Sequence, residues 1–364
     1  METAKKRVLV AMSGGVDSSV VAKLLSEQGY QCVGVTMKLF EKENPENSTS
    51  EESKDVTDAR MVAQSINIPY QVVNYEETFK TCIIDKFCQD YLEGKTPNPC
   101  IECNRFLKFG ALNNLREELD CDFIATGHYV RCEYDEKTGR YLLKKAADPQ
   151  KDQSYVLFHL TQDQLAHALF PLGDVSKTEV RNQASLSNFD NAHKEESQDI
   201  CFIPDGDYVS YLKQWSGTNF VPGPIVNHEG KVVGEHKGLP CYTIGQRKGL
   251  GVAYSEPLYV IDKEVETNTI YVGPKSSLGI AKVFADNVNL IAVSHLNEPV
   301  EAQIKTNYRQ TPKRALVCVN QEGILGAELL EPLNACSAGQ SLVVYWDDIV
   351  VGGGTICGYE KVNS

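Results

Sequence analysis

The chain has 364 residues, of which 42% are hydrophobic and 23% are charged, so it can bury substantial cores and is not disordered as a whole. Its 36 lysines and arginines and its 49 aspartates and glutamates give a formal net charge of −13, which argues against a protein that binds nucleic acid regardless of sequence. No run approaches the roughly 20 apolar residues that cross a bilayer, and the apolar run at residues 8–12 is too short for a signal peptide. We therefore expect a cytoplasmic protein of two or three domains with no membrane partner.

Short apolar runs alternate with helical patterns through the first two hundred residues. The predicted strands are residues 8–12, 32–39, 70–75 and 122–126, and the predicted helices are residues 17–27 and 55–66. Strands that are separated by helices form parallel sheets, and such sheets bind their ligands beyond the carboxyl ends of the strands. We therefore predict an α/β domain with a ligand site at that edge.

Two stretches interrupt this alternation. Residues 40–53 are rich in acidic and small polar residues, which is typical of a mobile loop or a disordered segment. Residues 78–119 have a mainly helical pattern, which a loop with two prolines at residues 94–99 interrupts.

The pattern changes after about residue 215, where glycine and proline become frequent between short β-like runs. From residue 281 onward it is almost entirely β, with five or six short strands that suggest a small barrel. We therefore predict an α/β domain at residues 1–215 with a helical insertion at about 76–120, a small β-rich central domain at 216–280 and a C-terminal β-barrel at 281–364.

The strongest motif lies between the first predicted strand and the first predicted helix, where the chain reads Ser-Gly-Gly-Val-Asp-Ser-Ser from Ser13 to Ser19. Glycines let backbone N–H groups approach phosphate oxygens closely, serine hydroxyls add donors, and the following helix points its positive end at the same ligand. No lysine follows the second glycine, and the spacing differs from that of dinucleotide-binding loops. The motif predicts an anion site, and the alternative is a glycine-rich turn without a ligand.

This motif resembles the PP-loop of the ATP pyrophosphatases. The resemblance implies an adenine nucleotide α-hydrolase-like fold and cleavage of ATP between its α- and β-phosphates, so that the adenylyl group activates a substrate oxygen. It also implies a Mg²⁺ ion that bridges the phosphates near Asp17. The positions that match the nucleotide pocket of this superfamily are Ala11, Met12, Ser13, Gly14, Gly15, Val16, Asp17, Ser18, Met37 and Gly127.

Two cysteine motifs stand out among twelve cysteines. Pro-Asn-Pro-Cys-Ile-Glu-Cys-Asn spans residues 97–104, and Ser-Gln-Asp-Ile-Cys-Phe spans residues 197–202. Shorter motifs accompany them in order, at residues 126–129, 151–155, 245–251, 308–310 and 338–340. In this combination the chain is similar to the tRNA-specific 2-thiouridylases, from residue 7 to about residue 356.

The resemblance implies ATP-dependent thiolation of the wobble uridine, position 34, in certain tRNA anticodons. ATP first adenylates O2 of the base, because a carbonyl oxygen is a poor leaving group until it is activated. Cys201 carries a persulfide from a donor protein, either a cysteine desulfurase or a sulfur-relay protein, and its outer sulfur attacks C2 while AMP departs. Cys103 then displaces the sulfur, which leaves a Cys103–Cys201 disulfide to be reduced.

Cys100 departs from the family pattern, because well-known members have an aspartate at this position that is thought to act as an acid or base. The cysteine could be a spare thiol, a resolving thiol or a metal ligand. Cys100, Cys103 and Cys201 together would suit a [4Fe–4S] cluster with one open iron, as in related tRNA thiolation enzymes, whereas zinc would need a fourth ligand. The sequence leaves the persulfide route and the cluster route both open.

Chemistry on an anticodon base requires the uridine to leave its stack and enter a pocket. The resemblance places Asn98, Pro99 and Cys100 at the target base. It also implies that the anticodon stem-loop is contacted by His128, Lys151, Asp152, Gln153, Tyr308, Arg309 and Gln340. Arg105 and Lys108 supply positive charge for phosphates.

Two other function classes remain open on the sequence. A PP-loop amidating ligase would explain the phosphate loop but would give no role to the paired cysteines or to the C-terminal barrel. A non-catalytic protein that binds RNA or a metal cluster would leave the phosphate loop unused.

Overall fold

The computed structural model describes residues 5–40, 53–194, 199–203 and 206–362. The loop predicted at residues 40–53 therefore lies almost entirely outside the described residues, as do Ser197 and Gln198 of the second cysteine motif. The chain divides into two compact units. Unit 1 comprises residues 1–83, 100–198 and 348–350, and unit 2 comprises residues 84–99, 199–347 and 351–364.

A parallel sheet forms the centre of unit 1. The strands of this unit are β1 (Arg7–Ala11), β2 (Gln31–Lys38), β3 (Tyr70–Asn74), β4 (Phe123–Ala125), β5 (Val130–Asp135), β6 (Arg140–Lys145) and β7 (Ala168–Leu169). Five of them pair in parallel in the order β3-β2-β1-β4-β7, while β5 and β6 form an antiparallel hairpin. Because β1 lies at the middle of the sheet, its Val8, Leu9 and Val10 are completely buried.

Helices lie between many of the strands along the chain. They are α1 (Val16–Glu27), α2 (Lys54–Ser65), α3 (Glu76–Phe79), α4 (Lys86–Leu92), α5 (Pro99–Glu102), α6 (Leu112–Glu118), α7 (Gln162–Ala166), α8 (Lys177–Leu186) and α9 (Tyr208–Ser216), of which α4 and α9 belong to unit 2. Two π-helical stretches, Lys80–Asp85 and Cys103–Ala111, extend α3 and α5. Val20 and Val21 of α1 are fully buried in the core of unit 1, as expected for the face that packs on the sheet.

Unit 2 carries the β-rich part of the chain. Its strands are β8 (Gly223–Asn227), β9 (Val232–His236), β10 (Tyr259–Glu264), β11 (Thr269–Gly273), β12 (Ile280–Leu290), β13 (Val300–Lys305), β14 (Lys313–Val319), β15 (Leu325–Leu333), β16 (Ser341–Trp346) and β17 (Ile349–Lys361). Strands β8 to β11 form a four-stranded sheet in the order β10-β11-β8-β9. Strands β12 to β17 follow the order β12-β15-β14-β13-β16-β17, and β12 also pairs with β17, which closes the barrel.

The predicted fold class is confirmed: a parallel-sheet α/β domain is followed by a small β-rich part and a β-barrel. The domain boundaries at residues 215 and 280 stay a prediction. Within the described part of the chain, none of the helices combines the length and the apolar character that a membrane span requires.

Candidate active site

The phosphate loop joins the central strand β1 to helix α1. Gly14 has φ +72°, and a Cβ atom on it would lie 2.2 Å from the carbonyl oxygen of Asp55, so only glycine fits there. The hydroxyls of Ser18 and Ser19 both donate to the carbonyl oxygen of Gly15 at 3.0 Å. These two hydroxyls, which the sequence offered as phosphate donors, hold the turn in this structure.

Asp17, the acidic residue of the loop, makes the most polar contacts. The ammonium of Lys177 donates to both carboxylate oxygens, at 2.7 and 2.8 Å, and the Tyr129 hydroxyl donates to one of them at 2.7 Å. Lys177 begins α8 and Tyr129 follows β4, so three separate elements meet at this carboxylate. Sequence reasoning missed both partners, because they are more than 100 residues away from Asp17 along the chain.

The carbonyl oxygen of Gly14 accepts two hydrogen bonds that the sequence also did not predict. Asn191 donates to it at 3.0 Å, and Lys194 donates to it at 3.1 Å. Lys194 also contacts Asp55 at 2.9 Å and Asp58 at 2.6 Å. Burial lowers the pKa of Lys194, but its bonds to the two carboxylates outweigh burial and raise that pKa above its usual value.

The other predicted nucleotide positions lie on neighbouring strands. Met37 is near the end of β2, and Gly127 comes two residues after β4, the strands on either side of β1. A Cβ atom on Gly127 would lie 3.1 Å from the Cβ of Asp17, so the backbone after β4 runs directly against the loop. The structure thus brings the predicted positions Ala11, Met12, Ser13, Gly14, Gly15, Val16, Asp17, Ser18, Met37 and Gly127 to the carboxyl ends of three adjacent strands. That edge is where open α/β sheets bind ligands.

Two predicted site cysteines of unit 1 lie on one continuous helical segment. Cys100 is in α5 and Cys103 begins the π-helical stretch that follows it. Cys100 is exposed and Cys103 is half-buried. Desolvation by the surrounding protein raises the pKa of both thiols, and the positive charge of Lys108 acts against it. Hydrogen bonds in a π-helix join residues five apart, so Cys103 and Lys108 lie about one helical turn from each other.

His128 is the buried partner of Lys108. Its ring lies 3.5 Å from the Lys108 ammonium through Nε2 and 2.7 Å from the Thr126 hydroxyl through Nδ1. Burial, together with the charge of Lys108, holds the pKa of His128 well below its usual value, so the ring is neutral at physiological pH. His128 is 7% exposed in this structure, although the sequence predicted it as a tRNA contact.

The predicted tRNA segment 151–153 also makes internal contacts. The carboxylate of Asp152 accepts from the backbone of Ala146 and from the hydroxyl of Ser154, while the Gln153 side chain accepts from the backbone of Tyr129. Lys151 is half-buried. The internal hydrogen bonds of Asp152 and Gln153 therefore stabilise this loop.

In unit 2 the predicted site residues occupy several elements. Cys201 is exposed, and the ring of the following Phe202 packs edge-on against Phe87 with centroids 5.4 Å apart. Tyr308 and Arg309 are exposed on the turn after β13. Asn98 is half-buried in the loop before α5, and Pro99, the first residue of α5, is buried. Gln340 donates to the Thr96 carbonyl oxygen in the same loop.

The cluster alternative requires Cys100, Cys103 and Cys201 as ligands. Across residues 5–40, 53–194, 199–203 and 206–362, no three histidine, cysteine, aspartate or glutamate side chains are grouped as a metal site. Two aspartates do lie beside the phosphate loop, Asp17 within it and Asp55 against Gly14, and a carboxylate there suits a Mg²⁺ ion that is shared with nucleotide phosphates.

Three family models match consecutive parts of the chain. The tRNA methyl transferase HUP domain matches residues 6–205, the tRNA methyl transferase PRC-barrel domain matches residues 210–274, and the aminomethyltransferase beta-barrel domain matches residues 281–356.

Curated relatives match over nearly the full length. The tRNA-specific 2-thiouridylase MnmA of Heliobacterium modesticaldum is 45% identical over 97% of this chain and 92% of its own. MnmA of Clostridioides difficile is 45% identical over 96% of this chain and 98% of its own, and MnmA of Moorella thermoacetica is 46% identical over the same two shares. The phosphate loop, the two cysteine motifs and the three-part fold agree with this similarity, and the chain belongs to the tRNA-specific 2-thiouridylase family.

Proposed function

We propose that this chain uses ATP to replace O2 of the wobble uridine, position 34 of tRNA, with sulfur. The observation that carries the proposal is a nucleotide loop and reactive-site cysteines on a chain that is 45% identical to 2-thiouridylases over 97% of its length. An amidating ligase would need only the first of these features. Family membership therefore favours sulfur transfer.

The nucleotide loop prepares the base for attack. The backbone of Gly14 and Gly15 and the start of α1 bind the phosphates of ATP, and Met37 and Gly127 flank the nucleotide. O2 of the uracil attacks the α-phosphorus, pyrophosphate leaves, and the base becomes an O2-adenylate. A Mg²⁺ ion held by Asp17 and the phosphates would neutralise part of the charge that collects on pyrophosphate. The product of this half-reaction carries AMP as a good leaving group.

The sulfur half-reaction uses two cysteines. A donor protein with a persulfide, a cysteine desulfurase or a sulfur-relay protein, passes its outer sulfur to Cys201. That sulfur attacks C2 of the adenylated base, and AMP leaves with the former O2 oxygen. The Cys103 thiolate then attacks the Cys201 sulfur, breaks the sulfur–sulfur bond and releases 2-thiouridine, which leaves a Cys103–Cys201 disulfide. A dithiol reductant supplies the two electrons that restore both thiols.

The anticodon stem-loop supplies the substrate uridine. Asn98, Pro99 and Cys100 line the pocket for the extruded base, which needs stiff walls to hold an unstacked pyrimidine. Exposed Tyr308 and Arg309 suit stacking and phosphate contacts. The remaining proposed tRNA contacts are His128, Lys151, Asp152, Gln153 and Gln340.

The product assay tests this function. Purified protein is incubated with ATP, Mg²⁺, a persulfide donor, a dithiol and unmodified tRNA, and both AMP and 2-thiouridine are measured. We expect equal amounts of the two products, and we expect Cys201→Ser to abolish 2-thiouridine. AMP without thiolated tRNA would point to the ligase class, and neither product would point to a binding protein.

Anaerobic purification with iron and sulfide analysis tests the cluster alternative on Cys100, Cys103 and Cys201. On the persulfide route we expect no stoichiometric iron.

A further inference from the structure

The helical segment that begins at the proposed reactive cysteine has an unusual conformation. Its residues Cys103–Ala111 are π-helical, and at its end the Leu112 backbone N–H donates to the carbonyl oxygen of Leu107, five residues earlier. π-helices are rare and occur frequently at functional sites. A stretch of this length therefore needs contacts that stabilise it against the ordinary α-helix.

Gln164 supplies such a contact near the end of the stretch. It is the third residue of α7, and its side-chain oxygen accepts from the Thr161 backbone N–H at 3.0 Å, as part of the capping box of that helix. Its side-chain amide donates to the Phe109 carbonyl oxygen at 2.6 Å. Phe109 is 1% exposed, and a buried carbonyl group at a change of helical spacing needs a partner. Gln164 therefore connects the π-helical turn to the fixed start of α7.

A neighbouring part of the chain also contacts the beginning of the stretch. Asn104 is buried, and its side-chain amide donates to the Val156 carbonyl oxygen at 3.1 Å. Gly110 suits the wide turn, because a Cβ atom on it would lie 2.9 Å from the carbonyl oxygen of Arg105, five residues earlier. Contacts near both ends and a glycine within the stretch thus favour π-helical over α-helical spacing.

This spacing determines where Lys108 lies relative to Cys103. Residues five apart are about one turn apart in a π-helix, whereas in an α-helix, with 3.6 residues per turn, they are about 140° apart around the axis. Desolvation disfavours the Cys103 thiolate, and the charge of Lys108 opposes this effect. The other titratable group that acts on Cys103 is the Cys100 thiol, while His128, which faces Lys108 from the segment after β4, is neutral.

We propose that Gln164 is a positioning residue for sulfur transfer: its hydrogen bond to Phe109 maintains the π-helical turn that keeps the Lys108 ammonium near the sulfur of Cys103. Without this bond the stretch relaxes toward α-helical spacing, and the ammonium turns away from the sulfur. No covalent bond to Gln164 forms or breaks in the reaction. The inference rests on the proposed role of Cys103 as the thiol that releases 2-thiouridine.

The test measures the rate of Cys103 alkylation against pH in Gln164→Met, by peptide mass spectrometry. Methionine keeps the length of the side chain and removes its amide donor. Thr161→Val is the matched control: it removes the hydroxyl that accepts from the Gln164 backbone at 3.2 Å and leaves the amide for Phe109. Both variants are also made on a Lys108→Met background, and melting temperatures are recorded for all of them.

We expect the pH midpoint of Cys103 alkylation to rise by about half a unit in Gln164→Met and to stay at the wild-type value in Thr161→Val. On the Lys108→Met background Gln164→Met should cause no further rise, because the charge that Gln164 positions is absent. An unchanged midpoint in Gln164→Met would overturn the assignment. So would an equal rise on both backgrounds, or an equal rise in Thr161→Val, because either would indicate general loosening of the segment.

Gly110→Ala disturbs the same turn independently, since its Cβ atom meets the Arg105 carbonyl. It should raise the midpoint only when Lys108 is present, and it takes over the test if Gln164→Met does not fold. A wild-type midpoint in Gly110→Ala would count against the proposal. Alkylation needs neither ATP nor tRNA, so a wild type that fails to thiolate tRNA would end the proposed function, while these midpoints would still decide the role of Gln164.

Discussion

The side-chain amide of Gln340 donates a 2.8 Å hydrogen bond to the carbonyl oxygen of Thr96. The Thr96 backbone N–H in turn donates to the Ala338 carbonyl oxygen at 2.8 Å, and a Cβ atom on Gly339 would lie 3.1 Å from the Cβ of Lys95. The turn between β15 and β16 therefore supports the loop that leads to Asn98 within unit 2. Gln340, which the sequence predicted as a tRNA contact, is used here to hold the proposed wall of the base pocket.

Gln340→Leu tests this support. Loss of the hydrogen bond leaves the Thr96 carbonyl without this partner, a cost of about 1 kcal/mol, and loosens the loop. We expect kcat for thiolation to fall about fivefold while KM for tRNA stays within twofold. Gln321→Leu, at an exposed turn, serves as the control. A change in KM alone would show instead that Gln340 acts mainly by contacting RNA.

Gly14→Ala tests the geometry of the phosphate loop. The substitution forces an alanine to φ +72° and pushes its Cβ against the Asp55 carbonyl, so we expect at least tenfold weaker ATP binding and a lower melting temperature. Gly29→Ala is the matched control, because Gly29 also has positive φ, +89°, but open space around a Cβ atom. Both variants pay the backbone cost of about 1–2 kcal/mol, and only Gly14→Ala adds the clash. Equal ATP affinity in the two variants would contradict the loop assignment.

Lys108→Met tests the electrostatics of the cysteines. Burial raises the pKa of Cys103 and Lys108 opposes it, so removing the lysine must raise the pKa further and reduce the thiolate at neutral pH. The pH profile of Cys103 alkylation, followed by peptide mass spectrometry, should move to higher pH. A tenfold weaker acid would react about threefold more slowly at fixed pH, because a more basic thiolate is also a better nucleophile. Lys108→Arg should keep the wild-type profile, and a profile that is unchanged in Lys108→Met would refute this role.

Cys100→Asp separates the two sulfur routes. On the persulfide route an aspartate here restores the side chain that well-known family members carry, so we expect thiolation within a few-fold of the wild type. On the cluster route the variant would lose activity and any iron–sulfur absorption together. The two outcomes are read from the anaerobic absorption spectrum and the 2-thiouridine yield of the same preparation.

Much of the fold of unit 1 can be predicted from local sequence. Strand β1 can be recognised from its apolar run, of which Val8, Leu9 and Val10 are completely buried, and Gly14 marks the loop because no other residue fits there. The predicted helices at residues 17–27 and 55–66 agree with α1 and α2 to within one residue at each end. Such features depend on neighbours along the chain.

Contacts between distant residues could not be predicted in this way. Lys177 meets Asp17 across 160 positions, and no periodic pattern marks a lysine for a carboxylate so far away. The π-helical stretch Cys103–Ala111 was also not predicted, because its apolar spacing resembles that of an α-helix. The β5–β6 hairpin was missed because its strands mix charged and apolar residues. Tertiary contacts determine each of these features.

The most direct test follows the oxygen atom that the reaction removes. tRNA that carries ¹⁸O at O2 of uridine 34 is thiolated with unlabelled ATP, and the AMP is analysed by mass spectrometry. Adenylation of O2 predicts one ¹⁸O atom in the phosphate of each AMP, in step with the 2-thiouridine formed. Unlabelled AMP beside thiolated tRNA would contradict the account.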